Sequence, residues 1–251
     1  MSGLHVAGLD VRLGDLHILK SIDLDIPAGE LHVLMGPNGS GKSTLCHALM
    51  GRPGYMVSGI AQVDGADLLE RDVAGRAALG LFEVFQYPVE IPGVTLAELL
   101  AEMADAGGAA VAERTADAVQ RLDTAPFLDR SVNVGLSGGE KKRSEMTQLM
   151  ALAPRVAVLD ELDSGLDVDA VREVAGAVEA MRHPGLGILV ITHYTRVLRH
   201  LHVDRVHVLV GGRIVASGDR SLADRLDLEG YDAFRPPTDG SDETDPFLQG
   251  L

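Results

Sequence analysis

The chain has 251 residues, 46% of them hydrophobic, and a formal net charge of −15. This length is enough to bury the core of one large domain or of two closely joined lobes. The acidic balance argues against broad nucleic-acid binding, which needs clustered Lys and Arg side chains. Cys46 is the only cysteine, so no internal disulfide is possible and a reducing cytoplasm is the simplest compartment. No apolar run approaches the ~20 residues that span a bilayer, and we expect neither a signal peptide nor insertion into a membrane.

The predicted elements begin with antiparallel strands, because apolar residues alternate over about the first 30 positions around a turn near Gly14-Asp15. A short apolar strand over residues 31–35 then runs into a glycine-rich loop, and a helix follows Lys42. Further strands are predicted over residues 54–63 and 79–85. Many glycines and few aromatic residues favour a turn-rich α/β fold packed with aliphatic side chains.

The middle of the chain has a different pattern. Apolar residues recur at helical spacing in three stretches of this part: 96–103, 111–122 and 140–152. Strands are expected again at 156–159, 186–192 and 206–210, with a helix over 169–182 between the first two. This is a βαβ pattern interrupted by a helical insertion. Residues 235–251 are rich in proline and acidic residues and predict a flexible acidic tail.

The glycine-rich loop matches the phosphate-binding pattern G-x-x-x-x-G-K-[ST], and it has a strand before it and a helix after it. In such a loop, backbone amides turn toward the phosphates, Lys42 reaches the β and γ phosphates, and the Ser43 hydroxyl binds Mg²⁺. A chance glycine-rich turn is the alternative, and the flanking strand and helix make it a poor one. The residues expected to contact ATP here are Gly36, Pro37, Asn38, Gly39, Ser40, Gly41, Lys42, Ser43 and Thr44.

A second candidate group follows the apolar strand at 156–159, which ends in Asp160 and Glu161. A buried strand that carries a carboxylate at its C-terminal end can supply a magnesium ligand, and we predict that role for Asp160. Glu161 would then act on the attacking water as general base or orienting group. Taken alone, the two acids could equally be solvated residues at a strand terminus.

Three weaker signals complete the candidate set. Ser137, Gly138 and Gly139 precede a helix, and its free N–H groups could hold an anion, although Ser137 and Glu140 also read as a simple capping box. Gln86 follows a predicted strand, where its amide could reach Mg²⁺ and the attacking water, but in isolation it reads as a solvated loop residue. His193 ends another strand and could contact the γ-phosphate. The segment 164–167 reads as a turn and helix N-cap.

In their order along the chain, these motifs resemble the ATP-binding cassette (ABC) family over residues 4–229. The resemblance implies an α/β P-loop ATPase with a RecA-like core, an antiparallel β subdomain and an inserted helical subdomain. The expected domain is 1–234, with its core at 1–87 and 151–234 and its helical part at about 88–150. In that family two subunits pair head to tail, so that Ser137 and Gly139 of one would close over the ATP held by Lys42 of the other. Gly138 and Asp167 are also expected to contact the nucleotide. Gln86, Glu161 and His193 are the expected catalytic residues, with Mg²⁺ bound near Ser43, Gln86 and Asp160.

The segment Phe85 to Val94 and the sequence after Gly139 resemble the SufC branch of the family, which serves SUF iron–sulfur cluster assembly. The resemblance implies SufB and SufD scaffold partners that dock through about residues 87–100, with Glu90 and the segment 91–94 as the anchor. The nucleotide-binding subunit of a membrane transporter is one alternative, and a nucleotide-gated interaction module with negligible turnover is another, against which the acid Glu161 argues. One departure is that residues 11–17 contain no aromatic residue to stack on adenine, and Leu13 is a candidate substitute.

Overall fold

The computed structural model describes residues 3–234. The strands within this range are β1 (Gly3–Leu13), β2 (Leu16–Pro27), β3 (Leu31–Met35), β4 (Tyr55–Val63), β5 (Ala66–Asp67), β6 (Leu81–Val84), β7 (Ile91–Thr95), β8 (Ser131–Val132), β9 (Val156–Asp160), β10 (Gly187–Ile191), β11 (Arg205–Val210) and β12 (Arg213–Gly218). The α-helices are α1 (Lys42–Met50), α2 (Val73–Ala78), α3 (Leu96–Gly107), α4 (Ala109–Arg121), α5 (Gly138–Leu152), α6 (Val168–Met181) and α7 (Ser221–Glu229). Short 3-10 turns cover Ala125–Phe127, Val197–His200 and Tyr231–Phe234.

The N-terminal strands form an antiparallel sheet in the order β2-β1-β4-β5. The β1–β2 hairpin turns at Gly14-Asp15, where Leu13 pairs with Leu16, as the alternating pattern predicted. Alternate side chains of β1 point into a buried cluster that α1 also enters. The period-two pattern arises because one face of this sheet is packed and the other is not.

The second sheet has six strands in the order β12-β11-β3-β10-β9-β6, and all neighbours except β11 and β12 run parallel. Strands β3, β9 and β10 are buried along their whole length, which explains their continuous apolar sequences. Because they are parallel, their carboxyl ends at Met35, Asp160 and Ile191 lie on one edge of the sheet. This edge carries the candidate site, as expected for open α/β sheets.

Two details differ from the sequence prediction. The strand expected over 79–85 is shorter, because Leu79 closes α2 and Gly80 has a φ of 90°, which breaks extended pairing. Strand β11 lies where a strand was predicted over 206–210, but its partner β12 and helix α7 were not predicted, because their short apolar runs lack a decisive period.

Helices α3, α4 and α5 pack around a cluster separate from those of the two sheets, which includes Leu96, Leu100 and Phe127. The predicted helices are therefore present, and a small β7–β8 pair joins them at the side near residue 91. The α/β fold with an antiparallel sheet and an added helical part is confirmed. The predicted tail, 235–251, lies outside the described residues. Within residues 3–234, no helix is both long enough and apolar enough to span a membrane.

Candidate active site

The loop between β3 and α1 has a backbone that only glycine permits at two positions. Gly41 has a φ of 108°, and a Cβ there would lie 2.5 Å from Leu19 Cδ2. A Cβ on Gly36 would lie 2.3 Å from the Leu209 carbonyl oxygen. The loop is therefore packed against β2 and β11 while its amides stay close to the cavity at the start of α1. This is the arrangement that allows backbone N–H groups to surround a phosphate.

Lys42 folds back over this loop. Its Nζ donates hydrogen bonds to the carbonyl oxygens of Gly36 at 2.8 Å and Pro37 at 3.0 Å. Burial lowers the pKa of Lys42, and the neighbouring Glu161 and Asp160 carboxylates act in the opposite direction. The ammonium group is thus held at the loop by weak carbonyl acceptors, which a bound phosphate can replace.

Glu161 is held between the two other predicted catalytic residues. Gln86 Nε2 donates a hydrogen bond to Glu161 Oε2, and His193 Nδ1 lies 3.1 Å from Glu161 Oε1. Because a carboxylate oxygen accepts, His193 Nδ1 is the donor in this contact, and Nε2 is left for other partners. Glu161 also has a φ of 44°, an unusual backbone conformation for a non-glycine residue and one concentrated at functional sites. The fold thus brings together residues 75 and 32 positions apart.

Asp160 lies below this group and beside Ser43. Burial, followed by the Glu161 charge, raises the pKa of Asp160 to about 6, while a hydrogen bond from Ser43 opposes the shift. Asp160 Oδ1 is inaccessible to solvent and has no hydrogen-bond partner among residues 3–234. A buried oxygen of this kind needs a ligand, and hydroxyl and carboxylate oxygens are the donors that Mg²⁺ prefers. The residues present therefore fit the predicted magnesium site.

One cavity of about 600 Å³ joins most of the predicted residues. Those that line it are Asn38, Gly39, Gly41, Lys42, Ser43, Thr44, Gln86, Glu161 and His193. Gly36 and Pro37 sit behind them as acceptors for Lys42, and Ser40 is buried within the loop with no hydrogen-bond partner for Oγ among the described residues.

The remaining predicted residues lie in a different cavity of about 370 Å³, lined by Ser137, Gly138, Gly139 and Asp167 among others. Ser137 caps α5, and the reciprocal bond from the Ser137 amide to Glu140 completes the predicted capping box. Asp167 caps α6 by accepting from the Ala170 amide at 2.8 Å. Gly165 lines both cavities, so the turn 161–167 separates them.

Sequence reasoning missed several residues that line the first cavity. Ile18 on β2 is an apolar side chain that lines this cavity. Leu13, at the end of β1, does not line the cavity and is 43% exposed. Arg196 and Tyr194 also line it, with the Arg196 guanidinium 5.3 Å from the Tyr194 ring centre. The signal available for both was their position within three residues of His193.

A buried pair on α5 supports Gln86 from behind. Lys142 donates to the carbonyl oxygen of Phe85, and the Phe85 amide donates to Glu145 Oε1 at 3.4 Å. Lys142 and Glu145 are 3.6 Å apart and almost fully buried. Burial raises the pKa of Glu145 to about 7 and lowers that of Lys142. Both backbone groups of the residue before Gln86 are therefore bound by α5, the helix that Ser137 caps.

Comparison with known proteins agrees with this geometry. Residues 19–164 match the family model of ABC transporter proteins. The chain is 44% identical to vegetative protein 296 of Bacillus subtilis, covering 97% of each chain. It is 43% identical to the probable ATP-dependent transporter SufC of Escherichia coli, covering 91% of this chain and 97% of that one. A solved ATP-binding subunit of an ABC transporter superposes with a TM-score of 0.78 over 91% of this chain and 95% of that one, at 24% identity. The chain therefore belongs to the ATP-binding cassette family of ATPases, and within that family it is of the SufC type.

Proposed function

We propose that this ATPase drives SUF iron–sulfur cluster assembly by changing the conformation of SufB- and SufD-like scaffold proteins. The observation that carries this proposal is an exposed apolar segment beside Gln86. Tyr87, Val89, Ile91 and Val94 are all at least 36% exposed. A cavity of about 620 Å³ lies next to them and extends inward to Gln86 and Asp160. Contiguous exposed apolar surface of this kind marks a protein-binding site.

In the proposed reaction, the amides of the loop 36–41 and the Lys42 ammonium hold the triphosphate of ATP. Ser43, Asp160 and Gln86 would hold Mg²⁺, which would supply charge neutralisation on the phosphate oxygens when bound. Glu161 accepts a hydrogen bond from the attacking water and orients it toward the γ-phosphate. The catalytic and binding roles of these residues remain predictions.

We further propose that the site is completed by a second subunit. Within one chain, the Ser137 cavity and the Lys42 cavity are separate openings with the turn 161–167 between them. A head-to-tail pair would place the α5 N-terminus of one subunit, with Ser137, Gly138 and Gly139, over the ATP held by the other. The free N–H groups and partial positive charge of a helix N-terminus suit a γ-phosphate. The pair would form transiently, when ATP is bound.

The docking surface would transmit scaffold binding to the site through a short path. Phe85 is 43% exposed, and its backbone is bound by Lys142 and Glu145. Asn133 Nδ2 donates to the Val89 carbonyl oxygen at 2.9 Å, which ties the segment to the helical part. Glu90, proposed as an anchor, pairs with Lys141 at 2.8 Å and is about half exposed. A scaffold carboxylate or amide could therefore engage the Glu90–Lys141 pair while apolar side chains enter the cavity.

Copurification tests the proposal. The tagged chain is coexpressed with SufB- and SufD-like proteins of its own source, and the captured proteins are identified with and without MgATP. We expect scaffold capture by the wild type and its loss in the double variant Glu90→Ala, Val94→Asp. Leu228→Asp is the matched control, since Leu228 is 87% exposed on α7, which contacts β12 at the sheet edge opposite β6. Retained capture by the double variant, with an unchanged thermal shift in MgATP, would reject the docking surface.

The same copurification distinguishes the proposed function from the alternative, which is the nucleotide-binding subunit of a membrane transporter. Several relatives carry names of transporter ATP-binding proteins, including one of Streptococcus pyogenes that is 46% identical over 92% of this chain. Capture of integral membrane proteins instead of scaffold proteins would assign this chain to a transporter. Location in the cytoplasm is part of the proposal, and the reduced, buried Cys46 is compatible with it.

A further inference from the structure

Three side chains that can bind metals are buried together beneath the candidate active site. One ligand atom each from Cys46, Glu83 and Asp160 lies within 4.8 Å of the other two. They come from α1, β6 and β9, so only the folded chain assembles them. Cys46 is fully buried, and the exposed fractions of Glu83 and Asp160 are 7% and 5%. Buried carboxylates are costly unless they are paired, protonated or bound to a metal ion.

Glu83 is the feature of this group that the ATPase reaction does not explain. Its side chain makes no hydrogen bond or ion pair with any residue in the range 3–234, although it is more than nine-tenths buried. The small exposed part opens to the cavity of about 620 Å³ that Ser43 and Asp160 also line. Asp160 Oδ1 is a second buried oxygen with no partner in the described range. Glu83 and the unpartnered Oδ1 of Asp160 therefore lie beside a thiol, next to a cavity through which an ion can enter.

We propose that Cys46, Glu83 and Asp160 form a site for a borderline divalent cation such as Zn²⁺, separate from the magnesium site but sharing Asp160 with it. One sulfur and two carboxylate oxygens form a donor set suited to Zn²⁺ or Fe²⁺, whereas Mg²⁺ rarely binds thiolates. Three protein ligands leave one position open to water or to the Ser43 hydroxyl. Because Asp160 cannot serve both ions in full, occupancy of this site opposes productive binding of MgATP.

Cobalt titration tests the site directly. Co²⁺ replaces Zn²⁺ in such sites and gives a near-ultraviolet thiolate-to-metal absorption band. Since Cys46 is the only cysteine in the chain, any such band reports this position. We expect about one Co²⁺ per chain, no band in Cys46→Ala, and binding weakened roughly tenfold or more in Glu83→Gln. His47→Gln is the matched control, because His47 lines the same cavity but is outside the cluster.

The outcomes are distinct. No thiolate band in the folded wild type, or an unchanged cobalt affinity in Glu83→Gln, overturns the site. Cys46→Ser, which keeps the side-chain size, guards against loss of binding through misfolding, and circular dichroism checks each variant. The exclusion of MgATP rests on the proposed magnesium role of Asp160 and has its own measurement. We expect Zn²⁺ to inhibit ATP hydrolysis, with half-inhibition shifted at least tenfold upward in Cys46→Ala. A cobalt band that persists in saturating MgATP would overturn the exclusion while leaving the site itself in place.

Discussion

Arg196 donates two hydrogen bonds to Asp163, one from Nε to the carboxylate at 2.9 Å and one from Nη2 to the main-chain carbonyl. Thr192 Oγ1 donates to the other carboxylate oxygen of Asp163 at 3.2 Å. The Asp163 side chain is only 1% exposed, whereas that of Arg196 is 43% exposed at the rim of the cavity. This contact joins the turn 161–167, which carries Glu161, to the loop that carries His193.

Arg196→Ala should therefore destabilise the chain and reduce hydrolysis. Its loss leaves the buried Asp163 carboxylate without its charged partner. Because Arg196 is 43% exposed, we expect a cost of about 1–3 kcal/mol in the free energy of unfolding. We expect kcat to fall more than KM rises, because the turn positions Glu161 and not the triphosphate. Urea unfolding and steady-state kinetics measure the two effects. Arg196→Lys should recover part of the stability and less of kcat, since an ammonium cannot reproduce both directional bonds. A change below about 0.5 kcal/mol would contradict the importance of the pair.

Glu161→Gln should separate ATP binding from hydrolysis. The amide keeps the size of the side chain but removes the carboxylate that acts on water, so kcat should fall by about 100-fold or more. ATP affinity should stay within a few-fold of wild type, because Lys42 and the loop amides are unchanged. Single-turnover hydrolysis and equilibrium nucleotide binding give the two values. Turnover near the wild-type rate would assign the general base to another group.

The Lys142–Glu145 pair predicts strong coupling between two mutations. Lys142→Met leaves Glu145 buried without its cation and should cost about 3–5 kcal/mol in the free energy of unfolding. Adding Glu145→Leu removes the stranded carboxylate, so the double variant should be more stable than Lys142→Met alone. A double-mutant cycle from chemical unfolding should give a coupling energy of about 1–3 kcal/mol. Additive effects would show that the two side chains support Phe85 independently.

Two buried histidines predict a loss of stability in acid. His207 Nε2 lies 3.1 Å from His32 Nδ1, His32 Nε2 lies 2.8 Å from Glu30, and His207 Nδ1 lies 2.7 Å from Ser217 Oγ. Burial, then the neighbouring His32 and Arg205, lower the pKa of His207 to about 4. The folded state therefore favours neutral His207, whereas the unfolded chain binds a proton below about pH 6.5. Above pH 6.5 both states are neutral at this position and the free energy of unfolding is unaffected. As the pH falls from 6.5 toward 4, protonation of the unfolded chain lowers the free energy of unfolding by about 3 kcal/mol in total.

Free energies of unfolding measured from pH 7 to pH 4 check that stability falls as the pH is lowered. The wild type should lose more stability over that range than His207→Gln, whose side chain does not titrate. His183→Gln is the control, because His183 is exposed in the loop before β10 and is not part of the histidine pair. Parallel pH curves for wild type and His207→Gln would contradict the prediction.

The sequence by itself determined the fold class and most of the helices and strands. The phosphate loop could be predicted because its glycines, Lys42 and Ser43 are adjacent, so a short pattern carries the whole local chemistry. The β1–β2 hairpin and the buried parallel strands followed from periodicity, which depends on how many faces of a strand are packed.

Only the tertiary structure decided which distant residues meet. Gln86 and His193 bind the Glu161 carboxylate because parallel strands end at one edge of the sheet, and no local pattern encodes that distance. The Arg196 contact with Asp163 and the cluster of Cys46 with Glu83 were invisible for the same reason. Glu83 in particular reads as an ordinary polar residue in its strand, and its burial without a partner appears only when α1 and β9 pack against β6. Contacts between side chains that are distant in the sequence depend on how the strands and helices pack, and the spacing of residues along the chain does not encode that packing.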